Sequence, residues 1–450
     1  MAGAPIDLLV LGVSHRTAPV AVRERLAIVP DGFDAALAEL AGLPGVREAA
    51  LLSTCNRVEI YAAVSDPDAA ARAMGEALAR RAGVPALELA AHVYEWREGE
   101  AVQHLFRVAS SLDSLVIGEP QILGQVKEAH DAAGRQGTAG ATLNACFQRA
   151  FRVARRVRRE TEIARNPVSV SSVAVELARE VFGSFQGRHV LVVGAGKMSE
   201  LAARTLRTHG ATLTVTNRTR SRADELAVQF GASARDWAEL PAALGEADIV
   251  IASTAAQGPV LTHAMMKQVH RARRGRPLFM LDIAVPRNIE AEVASLDGLY
   301  LFDIDDLQKV ATKHREGRKS EAADAEAMVR QELERFLRDW RGRQLAPTVT
   351  ALRAHVLGLA QAEAQRVAAS IPSLGERERR ALADLADGIA KKLLHLPQMA
   401  LRQDGGGEAM SMVTAVQRLF ALEVAAPAPL EAEPEPAASA TVKDKKAAGQ

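Results

Sequence analysis

Hydrophobic and polar positions switch between two periods along the first hundred residues. Residues 6–13 form an apolar run of strand length, 34–43 carry a short helical pattern, and 48–53 and 58–64 are strand-like around a polar turn, Thr54-Cys55-Asn56-Arg57. Residues 68–81 read as an alanine-rich helix and 92–96 as a further strand. The order β-α-β-β-α-β predicts a ferredoxin-like split motif. Residues 101–165 read as helical. Within 146–165, at about 100° per residue, Arg149, Arg152, Arg155, Arg156 and Arg159 fall on one arc, opposite Phe147, Ala150, Phe151, Val153, Ala154 and Val157. The arginine arc reads either as a solvated face or as a phosphate contact surface.

Asn166-Pro167 breaks this pattern, and 168–182 resume a helix. Strand signals at 189–193, 212–216, 249–253, 278–283 and 298–302 then alternate with helices, which predicts a doubly wound parallel sheet. Residues 307–345 read as one long helix, with helical segments to Leu422 after Pro347 and a loop at 404–407. A long helix that cannot bury its apolar stripe alone predicts helix–helix association in a homodimer. Residues 425–450, rich in Ala, Pro, Glu and Lys, predict a disordered tail. The expected division is a catalytic domain (1–165), a nucleotide domain (166–306), a long helix with a helical dimerisation domain (307–424) and the tail. In fold class this is a multidomain chain, α+β followed by α/β and then all-helical.

Composition narrows the function. Lys+Arg number 56 and Asp+Glu 55 among 450 residues, so a generally basic nucleic-acid coat is excluded, while a local basic face is not. Aromatics make up 4%, too few for a base-stacking platform. Two cysteines make neither a disulfide framework nor a cysteine zinc site, and the 11 histidines show no ligand spacing, so no metal is expected. The start lacks a basic segment before its apolar stretch, and no apolar run approaches the ~18 residues of a membrane span. A soluble, cytoplasmic protein without membrane association is the expectation.

The run Val190-Leu-Val-Val-Gly194-Ala195-Gly196-Lys197-Met198-Ser199 follows a strand and opens a helix, the setting a dinucleotide fingerprint requires. Gly194 suits the tight turn, Gly196 a close approach to pyrophosphate, and Ser199 is a small residue at the third position. The next strand ends in Asn217-Arg218-Thr219, where an NAD site places an acid. Arg218 can pair with a 2′-phosphate, which favours NADPH. Its alternative reading is a turn residue in a Rossmann-like domain that binds nothing.

Cys55 stands in a polar turn beside Arg57, and a nearby cation favours the reactive thiolate. Cys146 reads as a buried small hydrophobe. Ser53-Thr-Cys55-Asn-Arg57-Val-Glu59-Ile-Tyr61 resembles the active-site motif of the glutamyl-tRNA reductase family. Gly12-Val-Ser-His15-Arg16-Thr17-Ala-Pro19, the stretch from Ala109 to Lys127 with Gly118-Glu119-Pro120-Gln121, the Gly194 loop and Asp282-Ile-Ala-Val-Pro286-Arg287 resemble it too. Asn288, where the family often carries an acid, and the tail depart from it.

The resemblance implies NADPH-dependent reduction of glutamyl-tRNA(Glu) to glutamate-1-semialdehyde through a thioester on Cys55, the first step of the five-carbon route to tetrapyrroles. It implies a catalytic domain, a nucleotide domain and a C-terminal dimerisation domain. Arg57 is the implied anchor of the substrate side-chain carboxylate. Thr54, Asn56, Ser114, Glu119, Pro120, Gln121 and Gln125 match substrate-contact positions, with Glu119 and Gln125 as candidates for the α-amino group. His104 matches a histidine needed for activity, as acid/base, as carbonyl polariser or as a packed helix residue. Gly194, Ala195, Gly196, Lys197, Met198, Ser199 and Arg218 are the implied cofactor residues. The implied partners are glutamyl-tRNA(Glu), a second copy of the chain, and glutamate-1-semialdehyde aminomutase as recipient of the aldehyde. The competing readings are a shikimate-dehydrogenase-like NADP enzyme acting on a free hydroxy acid, which needs no cysteine, and a non-catalytic tRNA-binding regulator.

Overall fold

A computed structural model describes residues 7–28, 30–114, 118–119, 121–161, 163, 170–194, 197–315, 319–403, 407–422 and 424. The expected break at Asn166-Pro167, most of the 404–407 loop, and the 425–450 tail lie outside them.

The first unit contains β1 (Asp7–Ser14), α1 (Val20–Leu26), α2 (Pro30–Ala41), β2 (Val46–Ser53), β3 (Arg57–Val64), α3 (Pro67–Ala82), α4 (Ala86–Ala90), β4 (Tyr94–Arg97), α5 (Glu98–Ala109), α6 (Gln121–Arg135) and α7 (Ala141–Glu160). Its strands lie in the order β2-β3-β1-β4, every neighbour antiparallel, which is the ferredoxin-like order. Each residue of β3 is buried, so helices cover both faces of the central strand. That explains why RVEIYAAV lacks a polar outer row, and it makes the charges at Arg57 and Glu59 exceptional.

The second unit contains α8 (Val170–Phe182), β5 (His189–Gly194), α9 (Lys197–Thr208), β6 (Thr212–Thr216), α10 (Arg220–Phe230), β7 (Ser233–Arg235), α11 (Leu240–Glu246), β8 (Ile249–Ser253), α12 (His263–Arg273), β9 (Leu278–Asp282), β10 (Leu299–Asp303) and α13 (Ile304–Arg315). The strands run parallel in the order β10-β9-β8-β5-β6-β7. Counted from β5 this is 6-5-4-1-2-3, the Rossmann arrangement, whose switch point lies between β5 and β8. β7 has three residues at the sheet edge, too short to leave a strand pattern in the sequence.

α14 (Lys319–Ser370), α15 (Glu376–Gln403) and α16 (Gly407–Leu419) follow. The expected end near residue 345 is overturned: α14 continues through Pro347 for 52 residues in all. An internal proline costs a helix about 3 kcal/mol. Packing on both sides offsets that loss, with Ala325, Val329 and Phe336 joining the first unit's core and Leu345 packing near Val413 of α16. On α15, Leu385, Ile389, Leu393, Leu396 and Met399 stay exposed at helical spacing, a stripe uncovered in the single chain.

Two arginines of the α7 arc, Arg149 and Arg156, face α14. Arg156 Nη1 meets Glu332 at 2.6 Å, Arg149 meets Glu332 at 3.5 Å and Asp339 at 3.3 Å, and Arg107 of α5 meets Glu326 at 3.0 Å. For Arg149 and Arg156 this overturns both the solvated and the phosphate-contact readings. These guanidinium groups bind the acids of a helix nearly two hundred residues away.

Candidate active site

The turn between β2 and β3 carries the cysteine. Thr54 Oγ1 accepts from the backbone N–H of Asn56 and of Arg57, both at 3.1 Å, and Thr54 N donates to Arg57 O at 2.8 Å. The threonine thus folds the turn around Cys55, and Arg23 Nη1 donates to the Cys55 carbonyl at 2.5 Å.

Behind the turn lies a buried ionic cluster. Arg57 and Glu59, two apart on β3, point to the same side and pair at 2.7 Å, with side-chain exposures of 1% and 0%. Gly12 stands opposite Glu59 on β1, and a Cβ there would come within 2.8 Å of the Glu59 side chain. Glu59 Oε1 also accepts from His104 Nε2 at 2.8 Å and from Tyr94 Oη, and Oε2 accepts from Tyr61 Oη at 2.5 Å. Burial alone would raise the Glu59 pKa, but Arg57 and the bond from His104 hold it below the usual carboxylate range. On its other side Arg57 binds Asp113 Oδ2 at 3.2 Å and its carbonyl at 2.5 Å, and Asp113 binds Arg16 at 2.9 Å.

A narrow cleft lies in front, lined by Thr54, Cys55, Asn56, Arg57, Ser114, Glu119, Gln121, Ile122 and Gln125. Eight residues singled out in the sequence therefore converge there, from the cysteine turn, the end of the segment after α5, and α6. Pro120 lies outside the described residues. His104 does not line the cleft. It is buried on α5 and turned to Glu59, so it reaches the cleft through Arg57.

The neighbouring cations Arg23 and Arg57 favour the Cys55 thiolate as expected, but burial outweighs them. Burial, followed by the Glu119 carboxylate, pushes its thiol up to about 12, against a smaller opposing effect of Arg23. Arg57 is occupied by Glu59 and Asp113, and Arg23 by Asp305. Burial also pushes Glu119 up to about 7. Cys146 is buried and inert, as expected.

In the second unit, Gly194 ends β5 with φ at +102°, and a Cβ there would stand 2.3 Å from Ser253 O of β8. Only glycine fits this position at the switch point, the place where a dinucleotide crosses such a sheet. Ala195 and Gly196 lie outside the described residues, and Lys197 and Met198 are described by their backbone alone, in the first turn of α9. Ser199 is buried. Beyond β6, Arg218 is exposed, with its guanidinium 5.7 Å from the centre of the Trp237 ring. Thr216 Oγ1, at the end of β6, is buried with no hydrogen-bond partner among the described residues. A glycine cradle, an orphaned hydroxyl and an exposed guanidinium fit a phosphorylated dinucleotide.

Residues 11–161 match the family model for the glutamyl-tRNA(Glu) reductase N-terminal domain, 176–310 that for shikimate/quinate 5-dehydrogenase, and 324–422 that for the glutamyl-tRNA(Glu) reductase dimerisation domain. The chain is 46% identical over 421 residues to a glutamyl-tRNA reductase of Syntrophotalea carbinolica, covering 93% of this chain and 95% of that protein. The chain belongs to the glutamyl-tRNA reductase family. A second relative, glutamyl-tRNA reductase 2 of Anaeromyxobacter dehalogenans, is 43% identical over 92% of each chain. The solved glutamyl-tRNA reductase of Methanopyrus kandleri is 32% identical, with a TM-score of 0.49 over 92% of this chain and 98% of that one. The shikimate-type likeness accounts for the nucleotide unit alone, so the rival dehydrogenase reading is not favoured. A member of this family is a multidomain enzyme, and the match of residues 324–422 to its dimerisation domain supports a homodimer.

The departure at Asn288 has a local explanation. Asp282, at the end of β9, accepts from the backbone N–H of Ala284, Asn288 and Ile289, yet burial pushes its pKa up to about 7. An acid at 288 would add a second buried charge. The amide keeps the acceptor that binds Thr254 N at 2.6 Å and adds none.

Sequence reasoning missed the roles of Glu59, Asp113, Tyr61 and Tyr94. One signal was available: two charges two residues apart on an otherwise apolar strand place both on one buried face. Glu59→Gln leaves Arg57 short of its buried counter-ion. It is expected to destabilise the first unit by about 3–5 kcal/mol, read by calorimetry as a lowered transition temperature, whereas Tyr61→Phe costs about 1–2 kcal/mol.

Proposed function

We propose that this chain reduces the glutamyl ester of tRNA(Glu) to glutamate-1-semialdehyde, with Cys55 as nucleophile, NADPH as reductant and tRNA(Glu) as leaving group. The observation that carries this reading is the convergence of Cys55, Arg57 and Glu119 on one cleft in a chain of this family. An ester is a poor hydride acceptor because its oxygen donates electrons into the carbonyl. A thioester donates less, so capture by sulfur prepares the carbon for reduction.

A thiol held near 12 does not wait as a thiolate. Its proton must leave as sulfur attacks. Apart from the cysteine, Glu119 is the one side chain lining the cleft, among the described residues, that can take up a proton near neutral pH. Glu119 takes the proton from Sγ, the S–C bond forms, the bond from carbon to the tRNA ribose oxygen breaks, and Glu119 returns the proton to that oxygen. Arg57, held in place by Glu59 and Asp113 before substrate arrives, faces the side-chain carboxylate. Thr54, Asn56, Ser114, Gln121 and Gln125 offer the polar contacts that orient the chain, with Pro120 carried over from the motif. His104 acts as a positioning residue through Glu59.

Gly194, Ser199 and Arg218, with Ala195, Gly196, Lys197 and Met198 carried over from the fingerprint, hold the nucleotide, and the missing acid after β6 favours its 2′-phosphate. When bound, the nicotinamide supplies the hydride. No helix among the described residues is long and apolar enough to cross a membrane. We assign the reaction to the cytoplasm, and to glutamate-1-semialdehyde aminomutase the reactive aldehyde it releases.

Cys55→Ser is expected to lower aldehyde formation from glutamyl-tRNA by about 10³-fold or more and to abolish labelling at position 55 in the absence of nucleotide. Wild-type rates in that variant would exclude the thioester. For Glu119, the base must be ionised, so adduct formation without nucleotide should rise as pH climbs to about 7 and then level. Glu119→Gln is expected to remove that rise and slow the step by about 10²–10⁴-fold. Steady-state kinetics test the cofactor assignment: Arg218→Ala should raise the KM for NADPH by about tenfold or more and leave that for NADH unchanged.

A further inference from the structure

The Asp282–Arg287 motif has a contact that the reaction does not account for. Arg287 follows β9 in the nucleotide unit, and three of its nitrogens bind Glu24 of α1 in the catalytic unit: the backbone N and Nε at 2.7 Å to Oε1, and Nη2 at 3.1 Å to Oε2. The next residue along α1 makes a second bridge. Arg23 is 2% exposed, its Nε donates to Ala18 O at 3.2 Å, its Nη1 to the Cys55 carbonyl at 2.5 Å, and its Nη2 to Asp305 Oδ1 at the start of α13. Asp305 Oδ2 in turn accepts from Val20 N at 3.0 Å. A single guanidinium thus touches both the residue that carries the nucleophile and the nucleotide unit.

Among the described residues the two units share no apolar core. The catalytic core takes in α14, while the cores on the two sides of the Rossmann sheet draw on residues 173–307 alone. Beside the Glu24–Arg287 pair an open cleft separates Ala21 and Arg25 of α1 from Gly258 and Pro286. Directional polar bonds, rather than apolar packing, therefore set where α1 meets the nucleotide unit, and such bonds can part and re-form in water.

We propose that Arg23 and Glu24 form a two-point clamp on Asp305 and Arg287, and that its closure decides whether the acyl group on Cys55 is reduced or lost to water. The inference rests on the thioester reading above. The captured acyl carbon has two fates. Hydride from NADPH adds, the C–S bond breaks, the sulfur regains a proton and the aldehyde leaves. Alternatively water adds, the same bond breaks, the sulfur regains a proton and free glutamate leaves. The clamp favours the first fate by holding the hydride-donating unit against the cysteine turn. The four clamp residues are positioning residues, since none lines the cleft.

A charge swap tests this in the full-length dimer. Glu24→Arg, Arg287→Glu and the double variant are loaded with labelled glutamyl-tRNA without nucleotide, then chased with NADPH, and the label is counted as aldehyde or glutamate. Adduct formation before the chase is expected to stay within about twofold of wild type in all three. The aldehyde-to-glutamate ratio should fall about three- to tenfold in each single variant and recover in the double. Without nucleotide, hydrogen exchange over 18–28 should rise in the single variants and return towards wild type in the double. Asp305→Asn, which keeps the side-chain size, should lower the ratio in the same direction. Unchanged ratios in the single variants, or a double variant no better than either, overturn the clamp. If the wild type itself forms no adduct, the thioester reading fails and the clamp falls with it.

Discussion

The Arg57–Glu59 pair on β3 is the constraint around which the catalytic unit is built. Taking two charges out of water costs several kcal/mol each, and their mutual attraction repays this only when the remaining donors and acceptors are satisfied. Here they are satisfied by residues from four places: Tyr61 on the same strand, Tyr94 on β4, His104 on α5, and Asp113 beyond it. Each partner is useful only if its element is correctly placed. The charges thus act as a register device. A slip of β3 by one residue would turn Arg57 and Glu59 to the other side, away from every partner. Gly12 belongs to the same constraint, since a side chain at that position would occupy the space of Glu59.

A floor held this firmly has a chemical consequence for the cysteine in front of it. Arg57, already paired with two carboxylates, pulls on the thiol proton only weakly, and burial outweighs that pull. In the mechanism proposed above, the thiol stays protonated until an ester and the Glu119 carboxylate are both in place. The same burial that suppresses the thiolate raises Glu119 into the range where it can exchange a proton at neutral pH. A free thiolate would react with any electrophile or oxidant that entered. On that proposal a concerted transfer confines reactivity to a bound acyl ester, and the cost is a slower intrinsic attack that positioning by Arg57 would offset.

Much of this was legible in the residues because it is local. The apolar periods marked nine of the ten strands, and strand–glycine–helix context marked the nucleotide loop. The cysteine turn and the segment around Glu119 gather the cleft residues through their resemblance to one family. What was not legible depends on pairs far apart in the chain. The stripe from Arg149 to Arg159 shows which face of α7 is polar, yet nothing within the stripe distinguishes water, phosphate or an acidic helix as its neighbour. For Arg149 and Arg156 the acids Glu332 and Asp339 decide that from α14. Pro347 misled for a related reason: a local helix breaker was read without the packing on either side that carries the helix through it. Arg57 and Cys55 misled together, because proximity in sequence said nothing of the burial that outweighs the pull of the guanidinium on the thiol.

The kinds of contact at the two junctions also differ, and the difference assigns mobility within the enzyme. α14 joins the catalytic unit through apolar surface: Phe106 of α5 meets Phe336 at 5.9 Å between ring centres, and Ala325 and Val329 are wholly buried. Parting that junction would expose hydrocarbon to water at about 25 cal/mol per Å². The first half of α14 is therefore held to the catalytic unit by packing that water does not replace. α1 meets the nucleotide unit through carboxylates, guanidinium groups and backbone N–H, all of which water can replace at small net cost. An enzyme that must admit the acceptor end of a tRNA and afterwards bring a nucleotide to the same carbon needs one junction that holds and one that yields. The division of apolar and polar contacts places the yielding one at α1, on the carbonyl of the nucleophile itself.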